Sequence, residues 1–288
     1  DIYGTFGMHQ SACAEAAVTL DTMPESREMI DWIFQTGDRV GVHEVSGGDV
    51  LRQLVNVISR DGLGNESSPQ YSNLWLDSVL EIANALSGYE NYSAANLYKN
   101  PKLIKMLSSG FPLILTRNQT VQIGDSGRTA MENFDFYENS LIGAYKNVKI
   151  PEIAQILWFT HAGDLSDVHY DIFTKNPEAI QDEIRQTVEE RGEYDFDRSL
   201  QLCEYGFAIL RDGTYHAADG VQPEVNTQRD MWLYHGNALR HGHLSTLNLG
   251  MEAFGLNIAP DFGYPEFCDG SDAMLNWNHS TISHNTVM

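Results

Sequence analysis

Through the first two thirds of the chain, apolar residues recur at three- and four-residue intervals, the period of a helix with one buried face. Ser11 to Leu20 is Ala-rich and predicts a helix. A second is predicted from Pro24-Glu25 to Phe34, with proline near the first turn, where its missing N–H costs little. Val50, Leu51, Leu54, Val55, Val57 and Ile58 follow Gly47-Gly48-Asp49 at helical spacing. From Tyr71 to Leu86, the residues Leu74, Trp75, Val79, Leu80, Ile82, Ala83 and Leu86 form one broad apolar face. Thr129 to Tyr145, Pro151 to Phe159 and a charged stretch from Pro177 to Glu190 continue the series. Short joints marked by Gly or Pro predict stacked helical hairpins.

Near Glu193 the period changes. Gly206 to Leu210 and Thr214-Tyr215 flank Asp212-Gly213 and read as two strands around a turn. Met231 to Tyr234 reads as another strand. Leu244 to Phe254 also fits a helical stripe, but Gly250 and Gly255 weigh against a helix, so a strand is expected. The apolar run at Thr286-Val287-Met288 reads as an unfinished sheet and predicts further sequence beyond it. The pattern as a whole predicts an α+β chain with helices in 1–192 and antiparallel strands in 193–288.

Composition narrows the partners. Lys and Arg number 18 against 40 Asp and Glu, a formal charge of −22. Such a surface excludes nucleic acid as an expected partner, because phosphates reward clustered Lys and Arg. It also repels any polyanion at long range, so a site for one must be locally positive and would be helped by salt. No apolar run is long enough to cross a bilayer. Asp1-Ile2-Tyr3-Gly4 is not a signal peptide, so a secretion signal would have been removed or lie outside this sequence. Cys13, Cys203 and Cys268 lack metal-type spacing and read as small buried hydrophobes, with a single disulfide as the alternative.

The densest chemistry lies in the last quarter, in Tyr234-His235-Gly236, Arg240-His241-Gly242-His243, Asp261-Phe262-Gly263-Tyr264-Pro265-Glu266 and Ser283-His284-Asn285-Thr286. On a strand, His241 and His243 would project to one face, roughly 7 Å apart. Two imidazoles and a carboxylate from His243, Asp261 and His284 suit zinc with one position left open. By spacing alone the signal is weak, because histidines in a β-rich segment are more often hydrogen-bonded or surface residues than ligands.

The runs His241 to Gly250, Ala259 to Pro265 and His284 to Val287 resemble the signature of the heparinase II/III-like polysaccharide lyases. The likeness is specific over these last segments and looser over the helices. It implies an N-terminal α/α toroid, here incomplete, followed by an antiparallel β-sandwich, here truncated. It implies that His243, Asp261 and His284 hold a structural metal ion, usually Zn2+. It also implies a lyase that cleaves an acidic polysaccharide outside the bacterial cytoplasm, in the periplasm or the medium. Ser245 departs from the pattern, since many relatives carry Asp there, which puts in question a supporting carboxylate at that position. Gly64 to Tyr71 resembles the segment bearing the catalytic tyrosine, so Tyr71 is the leading catalytic residue.

β-Elimination on a uronic acid needs its carboxylate neutralised, a base for the C5 proton and an acid for the departing O4. His241, Gln10 and Arg240 are candidates for the first task, with His241 favoured by the resemblance. Tyr71 suits the acid, and also the base on one sugar epimer. His9 is the candidate base on the other. Glu66, Tyr234 and His235 are placed among the substrate contacts, with a core role for Tyr234 as the alternative. The scarcity of Arg and Lys favours a carboxylate-only polymer such as alginate. A heparin, heparan sulfate or hyaluronan lyase, with Arg117, Arg128 and Arg240 binding sulfate, is one alternative, and a noncatalytic carbohydrate-binding protein is another. The lyase reading requires that the helices and the sheet meet so that the Tyr71 phenol faces the His241 imidazole across a groove.

Overall fold

The computed structural model describes residues 7–41, 44–115, 119–127, 134–169, 172–213, 227–236, 240–264 and 271–287. Among the described residues eight α-helices come first: α1 Met8–Leu20, α2 Glu25–Phe34, α3 Val50–Val57, α4 Pro69–Leu86, α5 Pro101–Met106, α6 Glu138–Asn147, α7 Pro151–Thr160 and α8 Pro177–Arg191. Proline opens α4, α5, α7 and α8, where its fixed φ suits the first turn. α4 is the hub and packs against α1, α5 and α6. Its buried set, from Trp75 and Leu76 through Val79, Leu80, Ile82 and Ala83 to Leu86, covers most of its circumference, as a central helix requires. α8 instead buries a narrow stripe of Ile180, Ile184 and Val188 and leaves its charged residues in water. The helix expected from Thr129 starts later, at Glu138. Residues 134–137 are irregular, and 129–133 lie outside the described residues.

Five strands follow: β1 Leu200–Leu202, β2 Phe207–Asp212, β3 Arg229–Tyr234, β4 Asn248–Ala253 and β5 Leu256–Asn257. They form one antiparallel sheet in the order β1-β2-β3-β4-β5. The first hairpin turns at residues 203–206, upstream of the expected Asp-Gly turn. Thr214 and Tyr215, read as a strand after that turn, lie outside the described residues. β2 pairs with β3 from Phe207↔Tyr234 to Asp212↔Arg229. Alternation puts Phe207, Ile209, Trp232 and Tyr234 on the covered face. Leu63, Leu113, Leu115, Val121 and Ile123, which precede the strands in sequence, complete that core. The covered face is therefore closed by chain from the helical part. On the other face Leu210, Met231 and Leu249 are exposed.

Many contacts tie the two parts together, three of them beneath the start of the sheet. Tyr205 donates its hydroxyl to the Ser67 carbonyl, Tyr234 donates to Ser67 Oγ at 3.1 Å, and the Glu204 amide donates to Asp61 at 2.6 Å. Full burial pushes the Tyr205 phenol well above its ordinary value and keeps it neutral. No helix among the described residues is long and apolar enough to cross a membrane. Cys13 and Cys203 are free thiols, the first half-buried and the second exposed, so neither bears out the disulfide alternative. Cys268 lies outside the described residues.

Candidate active site

The site forms where the segment entering α4 runs beside the segment leaving β3. Glu66 and Arg240 form a parallel backbone bridge, and the Ser67 amide donates to the Arg240 carbonyl at 3.0 Å. That pairing delivers Tyr71, the third residue of α4, onto His241. Their rings stack with centroids 3.6 Å apart and planes 3° from parallel. The two side chains that the lyase reading pairs are thus in direct contact, stacked on one another rather than facing across an open groove.

Behind the imidazole sits Glu66, with no exposed surface. Its Oε2 lies 2.8 Å from His241 Nδ1. A carboxylate out of reach of water needs a donor, which assigns the proton on this side of the ring to Nδ1. His241 itself has φ of 44°, a left-handed conformation that is costly for a residue with a side chain. Its carbonyl is held by the Asp125 amide at 2.8 Å.

This turn corrects the expectation of a strand through His241 and His243. Residues 241–247 are irregular, and β4 begins only at Asn248. The two histidines consequently serve different places. His243 leaves the stack and joins Asp261 and His284, all offering ligand atoms within 4.8 Å of one another. Asp261 is clamped by Asn248 Nδ2 at 2.8 Å, the Gly263 amide at 2.9 Å and His284 Nδ1 at 2.6 Å. His243 Nδ1 and His284 Nε2 are buried with no hydrogen-bond partner among the described residues. Ser245 is buried and its hydroxyl reaches the His243 carbonyl at 3.5 Å, so it supplies no carboxylate.

The remaining predicted residues scatter. His9 is exposed and lines a groove between α1 and α2 with Cys13, Glu25, Glu28, Met29 and Trp32. No contact among the described residues joins it to the Tyr71–His241 pair. Gln10 is tied through its amide to the Gly48 carbonyl at 2.9 Å. Tyr234 is only 2% exposed and belongs to the core under the sheet rather than to a substrate groove. Glu66, expected to touch substrate, is instead the partner of His241. Arg240 is half-buried beside Glu66. His235 is half-buried, and its amide donates to the Gly206 carbonyl at 2.6 Å. Arg117 and Arg128 lie outside the described residues.

Two residues at the second cluster escaped the sequence reading. Asp125 Oδ1 lies 2.9 Å from His243 Nε2 and 3.4 Å from His279 Nε2. The Gly124-Asp125-Ser126-Gly127 run signals a tight turn, but nothing in it says which side chains the turn will meet.

Comparison with solved structures identifies the architecture. A heparinase III structure superposes with a TM-score of 0.62 at 13% identity, covering 99% of this chain and 38% of that one. The fold is shared with heparan sulfate lyases. A mutant of heparan sulfate lyase HepC from Pedobacter heparinus gives a TM-score of 0.57 at 17% identity, over 96% of this chain and 35% of that one. A second heparinase III gives 0.59 at 16% identity, over 100% and 37%. This chain thus spans little more than a third of the length of these structures. No family model and no curated protein matches it.

Proposed function

We propose that this chain is part of a polysaccharide lyase that cleaves a uronic-acid polymer of the heparin or heparan sulfate type by β-elimination. The observation that carries the reading is the Tyr71–His241 stack with Glu66 buried behind the imidazole. Alginate, favoured by the low Arg and Lys content, gives way because the solved structures with this fold are named as heparan sulfate lyase and heparinase III. In this reading the helices are part of an α/α toroid. The sheet is one layer of a sandwich, whose second layer covers Leu210, Met231 and Leu249. The polymer is met in the periplasm or outside the cell.

The reaction breaks the C5–H and C4–O4 bonds and forms a C4–C5 double bond. The C5 proton passes to a base, and O4 leaves with a proton from an acid. With Nδ1 committed to Glu66, His241 presents its other nitrogen to the substrate carboxylate. The Tyr71 hydroxyl, held beside that ring by stacking, protonates O4. As phenolate it takes the C5 proton on the epimer where both groups lie on one side. On the other epimer the C5 proton needs a separate base, for which His9, exposed on the groove between α1 and α2, is the candidate.

His243, Asp261 and His284 would hold a divalent ion, and two imidazoles with a carboxylate suit zinc. Such an ion supplies rigidity to the segment that carries His241.

Incubation with heparin, heparan sulfate, hyaluronan and alginate, followed by ultraviolet absorbance of the new double bond, tests the reading. Absorbance with heparan sulfate that disappears in Tyr71→Phe supports it. Turnover of alginate alone restores the carboxylate-only substrate. Binding of polymer with no new absorbance makes the chain a noncatalytic carbohydrate-binding protein.

A further inference from the structure

His243 belongs to two groups of potential ligands, one with Asp261 and His284, the other with Asp125 and His279. A neutral imidazole has one lone pair and one N–H, so it serves an ion through one nitrogen while the other donates. Geometry separates the two roles. Nε2 lies 2.9 Å from Asp125 Oδ1, a hydrogen-bond distance, whereas Nδ1 is buried with no partner among the described residues. We propose that Asp125 is a positioning residue for a metal site. Its carboxylate accepts the Nε2–H of His243 and so fixes the tautomer whose Nδ1 lone pair is available to an ion shared with Asp261 and His284. The proposal rests on the reading that those three residues bind a divalent cation. A second ion among Asp125, His243 and His279 would need the Nε2 lone pair as well, and hence a ring stripped of both protons.

Asp125 is well placed for this work because its loop is fixed on both sides. Its amide donates to the His241 carbonyl at 2.8 Å, and its own carbonyl accepts from Ser68 Oγ at 3.2 Å. Ser126 Oγ meets the same Ser68 hydroxyl at 3.0 Å, and the Tyr264 amide donates to the Gly127 carbonyl. Gly124, at φ of 59°, lies so close to the His241 carbonyl that a Cβ would sit 2.1 Å from the oxygen. The loop thus joins the N-terminus of α4, the stacked His241 and the ligand His243. A carboxylate on the far nitrogen of a ligating histidine raises its basicity and locks the ring plane, and its loss typically weakens metal binding by about 10–100-fold.

The test is a titration of the metal-stripped full chain with Co2+, followed by visible absorption and equilibrium affinity. Wild type is expected to bind one equivalent. Asp125→Asn is expected to bind one equivalent about 10–100-fold more weakly, with shifted bands and unchanged far-ultraviolet circular dichroism, while Asp125→Glu regains part of the affinity. Two equivalents in wild type falling to one in Asp125→Asn would make Asp125 a ligand of a second ion and overturn the proposal. So would unchanged affinity and spectrum in Asp125→Asn. No Co2+ binding by wild type would remove the three-ligand reading itself, a separate outcome. Should Asp125→Asn fail to fold, histidine 15N spectra of Zn2+-loaded wild type decide: His243 is expected protonated at Nε2 with Nδ1 on the metal, and the reverse assignment overturns the proposal.

Discussion

Glu66 has no contact with water, and a carboxylate there survives because His241 Nδ1 donates to it at 2.8 Å. Glu66→Gln keeps the shape and one acceptor oxygen but replaces the carboxylate behind the His241 ring with a neutral amide. In the lyase reading kcat falls by about 10²-fold while polymer binding changes little. Steady-state kinetics on heparan sulfate checks this, and a loss confined to KM would return Glu66 to the role of a substrate contact. Tyr71→Phe separates chemistry from packing more sharply. Phenylalanine preserves the ring that stacks at 3.6 Å on His241 but has no proton to give. The expected loss in kcat is roughly 10²–10⁴-fold with only a small change in Tm. Near-wild-type turnover would remove Tyr71 from the proton path.

At the scale of elements, what could be read in advance was what depends on local periodicity. α4 was legible because Trp75, Val79, Leu80, Ile82, Ala83 and Leu86 repeat with the helix and Pro69 marks the entry. β2 and β3 were legible from short apolar runs. The segment 240–247 was not, because its shape is set by partners far away in sequence: Glu66 alongside Arg240, and the Asp125 amide on the His241 carbonyl. The left-handed turn at His241 then sends two histidines, two positions apart, to different clusters. The resemblance picked out Tyr71 through the Gly64 to Tyr71 segment and His241, His243, Asp261 and His284 through the terminal motifs, and all five fall in the two clusters. It had nothing to say about Asp125, which comes from a short turn without a motif. Gly250 was read as a mark against a helix, and the sheet supplies its reason. It faces Trp232 across the β3–β4 pair, and a Cβ would lie 2.0 Å from the indole. Gly250→Val is expected to cost about 1–3 kcal/mol through overpacking, measured as a lower midpoint in urea at unchanged slope. An unshifted midpoint would mean that Trp232 repacks freely.

Across the whole molecule, the lyase reading must reconcile a formal charge of −22 with a polyanionic substrate. At about 0.01 M salt the Debye length is about 30 Å, so an approaching polymer feels most of the acidic surface. At about 0.15 M it is about 8 Å, and only charges near the groove still act. In the lyase reading, repulsion from the distant surface is therefore screened before short-range attraction at the site. The lyase reading thus predicts a non-monotonic response. KM for heparan sulfate falls several-fold as salt rises from about 10 to 150 mM, then climbs as the short-range contacts are screened in turn. An enzyme whose basic groove dominates its field would show KM rising from the lowest salt upward. Measuring KM against NaCl at fixed pH distinguishes the two, and a monotonic rise would mean that the acidic surface lies too far from the groove to oppose binding.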